Sequence, residues 1–346
     1  MEKVLIYGMG DFFEKHNEEI GMKYDVVGYV DRKAKNIRTD NFYSSIKEIN
    51  DIIYDKIVIM VSRTRLIFEI IKLLLQEGIR ASDIILGINE WGDYANKIQI
   101  YVNDDGQIVV KKDDIFVTTW TEDEFVNTMD VMLNECYKYY IPSNKEQVVF
   151  DVGMNIGDSA IYFANKPEVV AVYGFEPFKK TYEKALININ NQRKKHVIKA
   201  LNYGLSDVDC EIEIPYADEM TCGQSTILNN TEKARENYEK WDLLLEKKCE
   251  YEKIINKKSS DIIEKIMEKY NNADFVLKMD CEGEEYNIFR DMSSSGIIQG
   301  FSLIMLEWHY HSDKSLINIL KENKFAYVSV QKSINPDFGL IYAWKK

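Results

Sequence analysis

Residues 148–157 read VVFDVGMNIG. The apolar run lacks the alternation of a half-exposed strand, so it reads as a parallel strand covered on both faces. It stops at Gly153-Met154-Asn155-Ile156-Gly157, a tight turn, and 158–165 reads as a helix. Glycines in such a turn let the backbone approach a ligand without a Cβ in the way. Outward from this point the strand-then-helix alternation continues. Strands are expected at 169–175, 274–279 and 301–308, with weaker ones at 197–201 and 211–215. Helices are expected at 179–190, 259–270, 284–292 and 314–322, and an antiparallel pair at 325–331 and 340–344. Residues 229–248 are polar with helical spacing and read as an insertion within about 216–250. Alternation of this kind implies an α/β fold with a doubly wound parallel sheet.

A smaller α/β pattern precedes it. Lys3–Tyr7 (KVLIY) closes at Gly8-Met9-Gly10, a helix is expected to about Ile20, and Asp25–Val30, 56–61 and Ile84–Leu86 supply further strands. Residues 66–76 (LIFEIIKLLLQ) form an amphipathic helix closed by Gly78. Between the two patterns, 98–102 and 107–110 flank Asn103-Asp104-Asp105-Gly106, a hairpin turn signal, and 122–140 reads as helical. The expected division is a small sheet domain over 1–90 and a larger domain over 95–346, with the hairpin and helix of 95–146 leading into the second.

Composition narrows the class. A chain of 346 residues suits two domains at about 150 residues each. With 45% hydrophobic and 29% charged residues it is neither disordered nor fibrous. The net charge of −13 argues against a nucleic-acid-backbone binder, which needs a basic stripe. No apolar run approaches the ~18–20 residues of a membrane helix. The start, MEKVLIYGMG, meets a glycine too early for a signal-peptide core, so a cytoplasmic location is expected. Cys136, Cys210, Cys222, Cys249 and Cys281 contain no CxxC pair and read as buried thiols.

The chemistry-bearing residues fall at the carboxyl ends of the second pattern's strands, where open α/β sheets bind ligands. Asp151 ends the first strand. Glu176, in Gly174-Phe175-Glu176-Pro177, ends the next, where a carboxylate accepts hydrogen bonds from both ribose hydroxyls. Asp151 and Asp158 flank the glycine turn and repel a pyrophosphate, so a nucleoside with a cationic tail fits better. S-adenosylmethionine (SAM) carries a sulfonium and an ammonium. Ser206 and Asp207, in Leu205-Ser206-Asp207, suit an adenine ring and its amino group. Charged residues crowd the end of the strand in KMDCEGEE (278–285). Charge there is costly unless paired or used. In LIMLEWH (303–309), Glu307 and His309 share a strand face.

In this order DVGMNIG, GFEP, LSD, KMDCEGEE and LEWH, with CGQS at 222–225 as a weaker match, resemble the FkbM family of SAM-dependent methyltransferases over roughly residues 98–344. Met154 stands where family members commonly have Ala, and the polar segment is longer than usual. The resemblance implies a class I methyltransferase sheet: seven strands, mostly parallel, ending in an antiparallel hairpin. It implies SAM as cofactor and S-adenosylhomocysteine as product. It makes Asp151, Gly153, Asn155 and Gly157 the site of the SAM amino-acid tail, Glu176 with Pro177 the ribose site, and Ser206 and Asp207 the adenine contacts. Asp280 would face the transferred methyl. Relatives of this type mostly methylate hydroxyls of sugars or polyketides, which implies a small-molecule or glycan acceptor and a place in polysaccharide biosynthesis. Oligomeric state is left open.

Methyl transfer from sulfonium is an in-line displacement in which positioning does most of the work. A sugar hydroxyl is a weak nucleophile and calls for a base. Asp280, Glu307 and His309 are the candidates, with Asp280 or His309 favoured. The same three can instead hold a divalent cation, the lesser alternative, or Glu307 and His309 can pair with each other or with Lys278. The N-terminal sheet looks like the small Rossmann-like domains of sugar-modifying enzymes. It lacks the third glycine of a dinucleotide fingerprint but has Asp31 at the ribose position. A nucleotide-sugar-binding or NAD-dependent protein is therefore the alternative function.

Overall fold

The computed structural model describes residues 1–32, 41–49, 52–216, 250–309, 311–331 and 338–345. The CGQS motif at 222–225 and the polar stretch 229–248 lie outside the described residues. The chain divides into two compact units, Met1–Asn134 and Glu135–Lys346.

In the first unit, strands β1 (Lys3–Tyr7), β2 (Asp25–Val30), β3 (Phe42–Tyr43), β4 (Lys56–Ile59) and β5 (Ile84–Leu86) form a parallel sheet in the order β3-β2-β1-β4-β5. Helix α1 (Asp11–Lys23) links β1 to β2, α2 (Thr64–Gln76) links β4 to β5, and the short α3 (Gly87–Trp91) follows β5. Along α2 the residues Ile67, Ile70, Ile71 and Leu74 are buried, the i, i+3, i+4, i+7 stripe of an amphipathic helix. Then β6 (Gln99–Val102), β7 (Ile108–Lys112) and β8 (Ile115–Thr119) form an antiparallel sheet, followed by α4 (Glu122–Met132).

That hairpin and helix belong to the first unit, whereas the sequence pattern attached 95–146 to the second. The reason is packing. Ile98, Ile100, Val102, Ile108, Val110, Phe125 and Met129 share one apolar core with Leu5, Ile57, Ile59 and the buried face of α2. Helix α4 starts at a capping box between Thr121 and Glu124, and ends at Met132 rather than reaching Tyr140. Glu135 follows with a left-handed φ of 51° that no helix continues through.

The second unit runs β9 (Gln147–Val152), α5 (Asp158–Ala164), β10 (Val169–Phe175), α6 (Lys179–Asn190), β11 (Ile198–Leu201), β12 (Gly204–Ser206), β13 (Cys210–Tyr216), β14 (Glu250–Lys258), α7 (Ser259–Met267), β15 (Asp274–Met279), α8 (Glu285–Ser295), β16 (Phe301–His309), α9 (Lys314–Glu322), β17 (Phe325–Gln331) and β18 (Phe338–Lys345). Its main sheet has seven strands in the order β11-β10-β9-β15-β16-β18-β17. The central ladders are parallel, and β18 runs antiparallel to both β16 and β17. This is the class I methyltransferase arrangement the sequence motifs implied. Every residue of β9 is buried, in keeping with its unbroken apolar run. A side sheet of β12, β14 and β13 stands apart from the main one.

The order of strands positions the site. From β9 the chain moves to β10 and β11 on one side, then returns to β15 and β16 on the other. The crevice at such a reversal, beyond the carboxyl ends of the strands, is where doubly wound sheets bind ligands. Among the described residues no helix is long and apolar enough to cross a membrane.

Candidate active site

The turn after β9 lies directly on the end of β15. Gly153 has φ 76°. A Cβ there would collide with the carbonyl oxygen of Asp280, so the close approach demands glycine. The Asp280 N–H donates to Val152 O at 3.0 Å, which locks the same junction from the other side. Met154 is buried, and its thioether occupies the space that a side chain on Gly174 would need. Gly157 caps α5.

Asp151 is completely buried. Its Oδ1 lies 3.0 Å from Lys278 Nζ, and its Oδ2 accepts a 2.6 Å hydrogen bond from Ser159 Oγ. Lys278 Nζ also donates to Gly153 O at 2.6 Å and lies 5.4 Å from the Tyr137 ring centre. Burial works against the ammonium charge, but the carboxylates of Asp151 and Asp280 outweigh it and hold the Lys278 pKa above its ordinary value. Asp151 and Lys278 thus brace the turn from inside. Lys278 is engaged here, and not with Glu307 as one sequence alternative had it.

Glu176 follows β10 and is almost fully buried. Its Oε2 accepts from Asn155 N–H at 3.1 Å and its Oε1 from Phe178 N–H at 3.0 Å. Asn155 takes the left-handed φ of 48° in making that contact. Burial pushes the Glu176 carboxyl up to about 8, with the two backbone donors pulling the other way. Each carboxylate oxygen keeps a second acceptor site. The Asn202 side-chain amide donates to the carbonyls of Glu176 at 2.9 Å and Pro177 at 3.2 Å, which holds this corner in place. Next along the crevice, Ser206 on β12 donates to Glu284 and lies 3.3 Å from Asp207 Oδ1. Asp207 is partly exposed, with Arg290 at 3.7 Å.

The third corner gathers acids around one imidazole. After β15 the chain turns through Asp280-Cys281-Glu282-Gly283, with Glu282 at φ 54°. Asp280 Oδ2 accepts from the Tyr137 hydroxyl at 3.3 Å. His309, the last residue of β16, is 9% exposed. Its Nδ1 lies 2.8 Å from Oε1 of Glu285, which is fully buried at the start of α8. Its Nε2 lies 3.7 Å from Glu282 Oε2, 3.8 Å from Asp280 Oδ1 and 3.9 Å from Glu307 Oε1. Burial alone would lower the imidazole pKa. The carboxylates of Glu282 and Glu285 override it and hold His309 well above the ordinary histidine value. Ligand atoms of Asp280, Glu282 and His309 all lie within 4.8 Å of one another, a set able to hold a metal ion.

Asp280, Glu307 and His309 therefore come together as the motifs suggested, and Glu176 meets the glycine turn. Asp151 points inward, onto Lys278 and Ser159. Sequence reasoning assigned no role to Tyr137, Glu282, Glu284 or Glu285. The three acids lie inside KMDCEGEE, where a strand end followed by a tight turn and a helix start brings several of them to one corner. Tyr137 falls inside the helix expected over 122–140, beside the apolar Met132, Leu133 and Cys136, so the pattern marks it as no more than a helix residue.

A family model described as "Methyltransferase FkbM domain" matches residues 151–327, half of the chain, starting at Asp151 itself. The chain belongs to the FkbM methyltransferase family. Among solved structures, this FkbM chain is similar to methyltransferase FkbM from Methylobacillus flagellatus (12% identity, 99% of this chain and 90% of that one, TM-score 0.37). It is also similar to precorrin-6y C5,15-methyltransferase from Geobacter metallireducens (8% identity, 65% and 89%, TM-score 0.31). A third is Aeropyrum pernix fibrillarin, solved with S-adenosyl-L-methionine (11% identity, 71% and 94%, TM-score 0.32). No curated protein matches this FkbM chain.

Proposed function

We propose that the protein is a SAM-dependent O-methyltransferase that methylates a hydroxyl of a sugar, free, nucleotide-linked or within a surface glycan. The observation that carries this is Glu176: a carboxylate at the tip of the second strand, tied by Asn155 N–H to the glycine turn of the first. It stands where a ribose diol binds in doubly wound sheets, and its remaining acceptor sites suit two hydroxyls. Ser206 and Asp207 lie beyond it for the adenine. Asp280, partly exposed at the switch point, suits the cofactor's ammonium, while Asp151 supports the turn from beneath.

The acceptor belongs at the acidic corner. Carboxylates accept from several hydroxyls at once, which fits a polyol and disfavours an acceptor whose phosphates enter the corner. The chain's main contribution is to hold one hydroxyl oxygen about 3 Å from the methyl carbon. The surrounding carboxylates raise the His309 pKa despite its burial, which favours Asp280 and Glu307 over the imidazole as the base that takes the hydroxyl proton.

The first unit is less suited to a dinucleotide. Its α1 begins at Gly10 with Asp11 and Glu14 in the first turn, which opposes phosphate at a helix N-terminus. Asp31 Oδ2 accepts from Met9 N–H at 2.8 Å. A role in acceptor recognition or assembly suits this unit. Thermal melts with SAM, S-adenosylhomocysteine and NAD, followed by labelled-SAM transfer to a panel of sugars, test the proposal. SAM at 100 times its dissociation constant stabilises by ~2.7 kcal/mol if it binds the native state alone. Stabilisation by NAD and none by SAM would reverse the assignment.

A further inference from the structure

We infer that Glu285 is a positioning residue of the proposed methyl transfer: it fixes the His309 ring so that Nε2 donates a hydrogen bond to a hydroxyl of the acceptor. This rests on the methyl-transfer reading above and adds a donor to a corner built mainly of carboxylate acceptors.

The geometry of the ring comes first. His309 ends β16 and Glu285 opens α8. Glu285 Oε1 lies 2.8 Å from His309 Nδ1. A carboxylate accepts and does not donate, so this contact places a proton on Nδ1 and fixes the rotation of the ring. The opposite nitrogen is thereby turned toward the other acids. Nε2 stands 3.7 Å from Glu282 Oε2, 3.8 Å from Asp280 Oδ1 and 3.9 Å from Glu307 Oε1. These separations are too long for direct hydrogen bonds, but one oxygen at about 2.8 Å from each atom spans any of them. A hydroxyl does so by accepting from the ring and donating to the carboxylate. Carboxylate oxygens gathered around Nε2 favour a proton there over a lone pair.

Glu285 also ties the ring to its surroundings. The same Oε1 accepts from the Cys281 N–H at 3.4 Å, in the turn that carries Asp280 and Glu282. One oxygen thus sets the imidazole and the acid-bearing turn relative to each other. The next residue of α8, Tyr286, donates from its hydroxyl to His311 O at 3.0 Å. The first turn of α8 therefore grips the chain at His309 and again just beyond it. The plain structural use for Glu285 is that of an acid at a helix start, where the helix dipole favours it. An exposed acid serves that use, and it needs no imidazole. Glu285 is instead fully buried, and its Oε2 has no hydrogen-bond partner among the described residues. A carboxylate oxygen left unpaired inside the protein costs stability that a surface acid does not.

The test is a double-mutant cycle in the full-length protein, with Glu285→Gln and His309→Asn made singly and together. The readouts are kcat/KM for a sugar that accepts labelled methyl, SAM affinity, melting temperature, and nitrogen NMR of protein labelled at its four histidines. Glutamine keeps the shape of the side chain but can donate as well as accept, so the ring loses its single tautomer and orientation. Glu285→Gln is expected to lower kcat/KM by about 10²-fold, the cost of a misplacement of about 1 Å. SAM affinity and melting temperature stay near wild type. In the His309→Asn background the same change costs little more, because Glu285 acts through the ring. The Nδ1–H signal of His309, assigned by its loss in His309→Asn, shifts or disappears in Glu285→Gln. Near-wild-type kcat/KM in Glu285→Gln, losses that multiply in the double variant, or an Nδ1–H signal indifferent to Glu285→Gln overturns the inference. If the melting temperature shows that Glu285→Gln folds poorly, the wild-type spectrum decides: a proton on Nδ1 of His309 supports the inference and a bare Nδ1 overturns it. A wild type that transfers no methyl to any sugar sinks the methyl-transfer reading and this inference with it. Transfer with multiplying losses overturns this inference alone.

Discussion

At the scale of single residues, Glu176 and Asp280 separate cofactor binding from chemistry. The two ribose hydrogen bonds to Glu176 are charge-assisted, each worth ~1.5–3 kcal/mol. Glu176→Ala therefore weakens SAM by at least about tenfold, and calorimetry within twofold of wild type would refute the role. The same residue sets a pH dependence. Its folded pKa of about 8 lies well above that of an ordinary glutamate carboxyl. The unfolded chain thus releases this proton first, and the group costs stability increasingly as pH rises through that window. Ribose hydroxyls favour the ionised form, so SAM binding near neutrality releases a proton and strengthens as pH approaches about 8. Calorimetry in buffers of different ionisation enthalpy reads that proton directly. Asp280→Asn keeps shape but loses charge and basicity. It lowers single-turnover methylation by ~10²–10⁴-fold with a smaller effect on SAM affinity, because ribose and adenine are held elsewhere. Much of this was legible in the chain, since acids at the ends of apolar strands have few structural uses. Asp151 shows the boundary of such reasoning: motif position cannot tell an acid facing the crevice from one turned inward onto Lys278.

At the scale of elements, the junction between the turn after β9 and the end of β15 holds cofactor and acid corner in register. Gly153→Ala forces a Cβ against the Asp280 carbonyl and keeps a φ that alanine resists. It is expected to destabilise by ~2–4 kcal/mol and to weaken SAM, as chemical denaturation and calorimetry can show. Near-wild-type stability would mean the two loops separate easily. The strands β9, β10, β15 and β16 were readable because each is apolar along most of its length. β14, with EYEKIINKK, was not: its charges mimic a solvated helix or loop. The short β12 and the third strand β8 were also missed, because three to five residues without a turn signature carry little periodic information. Helix α4 was drawn too long, since Met132, Leu133 and Cys136 continue the apolar spacing past the point where the backbone leaves the helix.

At the scale of the molecule, the two units set where the chain can be divided. A cut near Trp91 severs β6–β8 and α4 from the core they share with β1, β4 and α2. It is expected to leave an insoluble N-terminal piece and, on the other, an apolar surface without cover. A cut before Glu135 keeps Tyr137 on Asp280 and the Tyr342 hydroxyl on Cys136 O at 2.7 Å. The fragment from Glu135 is expected to fold and bind SAM, as size-exclusion chromatography and calorimetry can test; a soluble fragment that ignores SAM would refute the division. The contact of Gly153 with the Asp280 carbonyl also bears on how such an enzyme can change its habits. A laboratory lineage selected for new acceptors can alter neither side of that seam without disturbing the other. Its successful variants will leave position 153 untouched and draw their novelty from residues that do not share a wall with the cofactor.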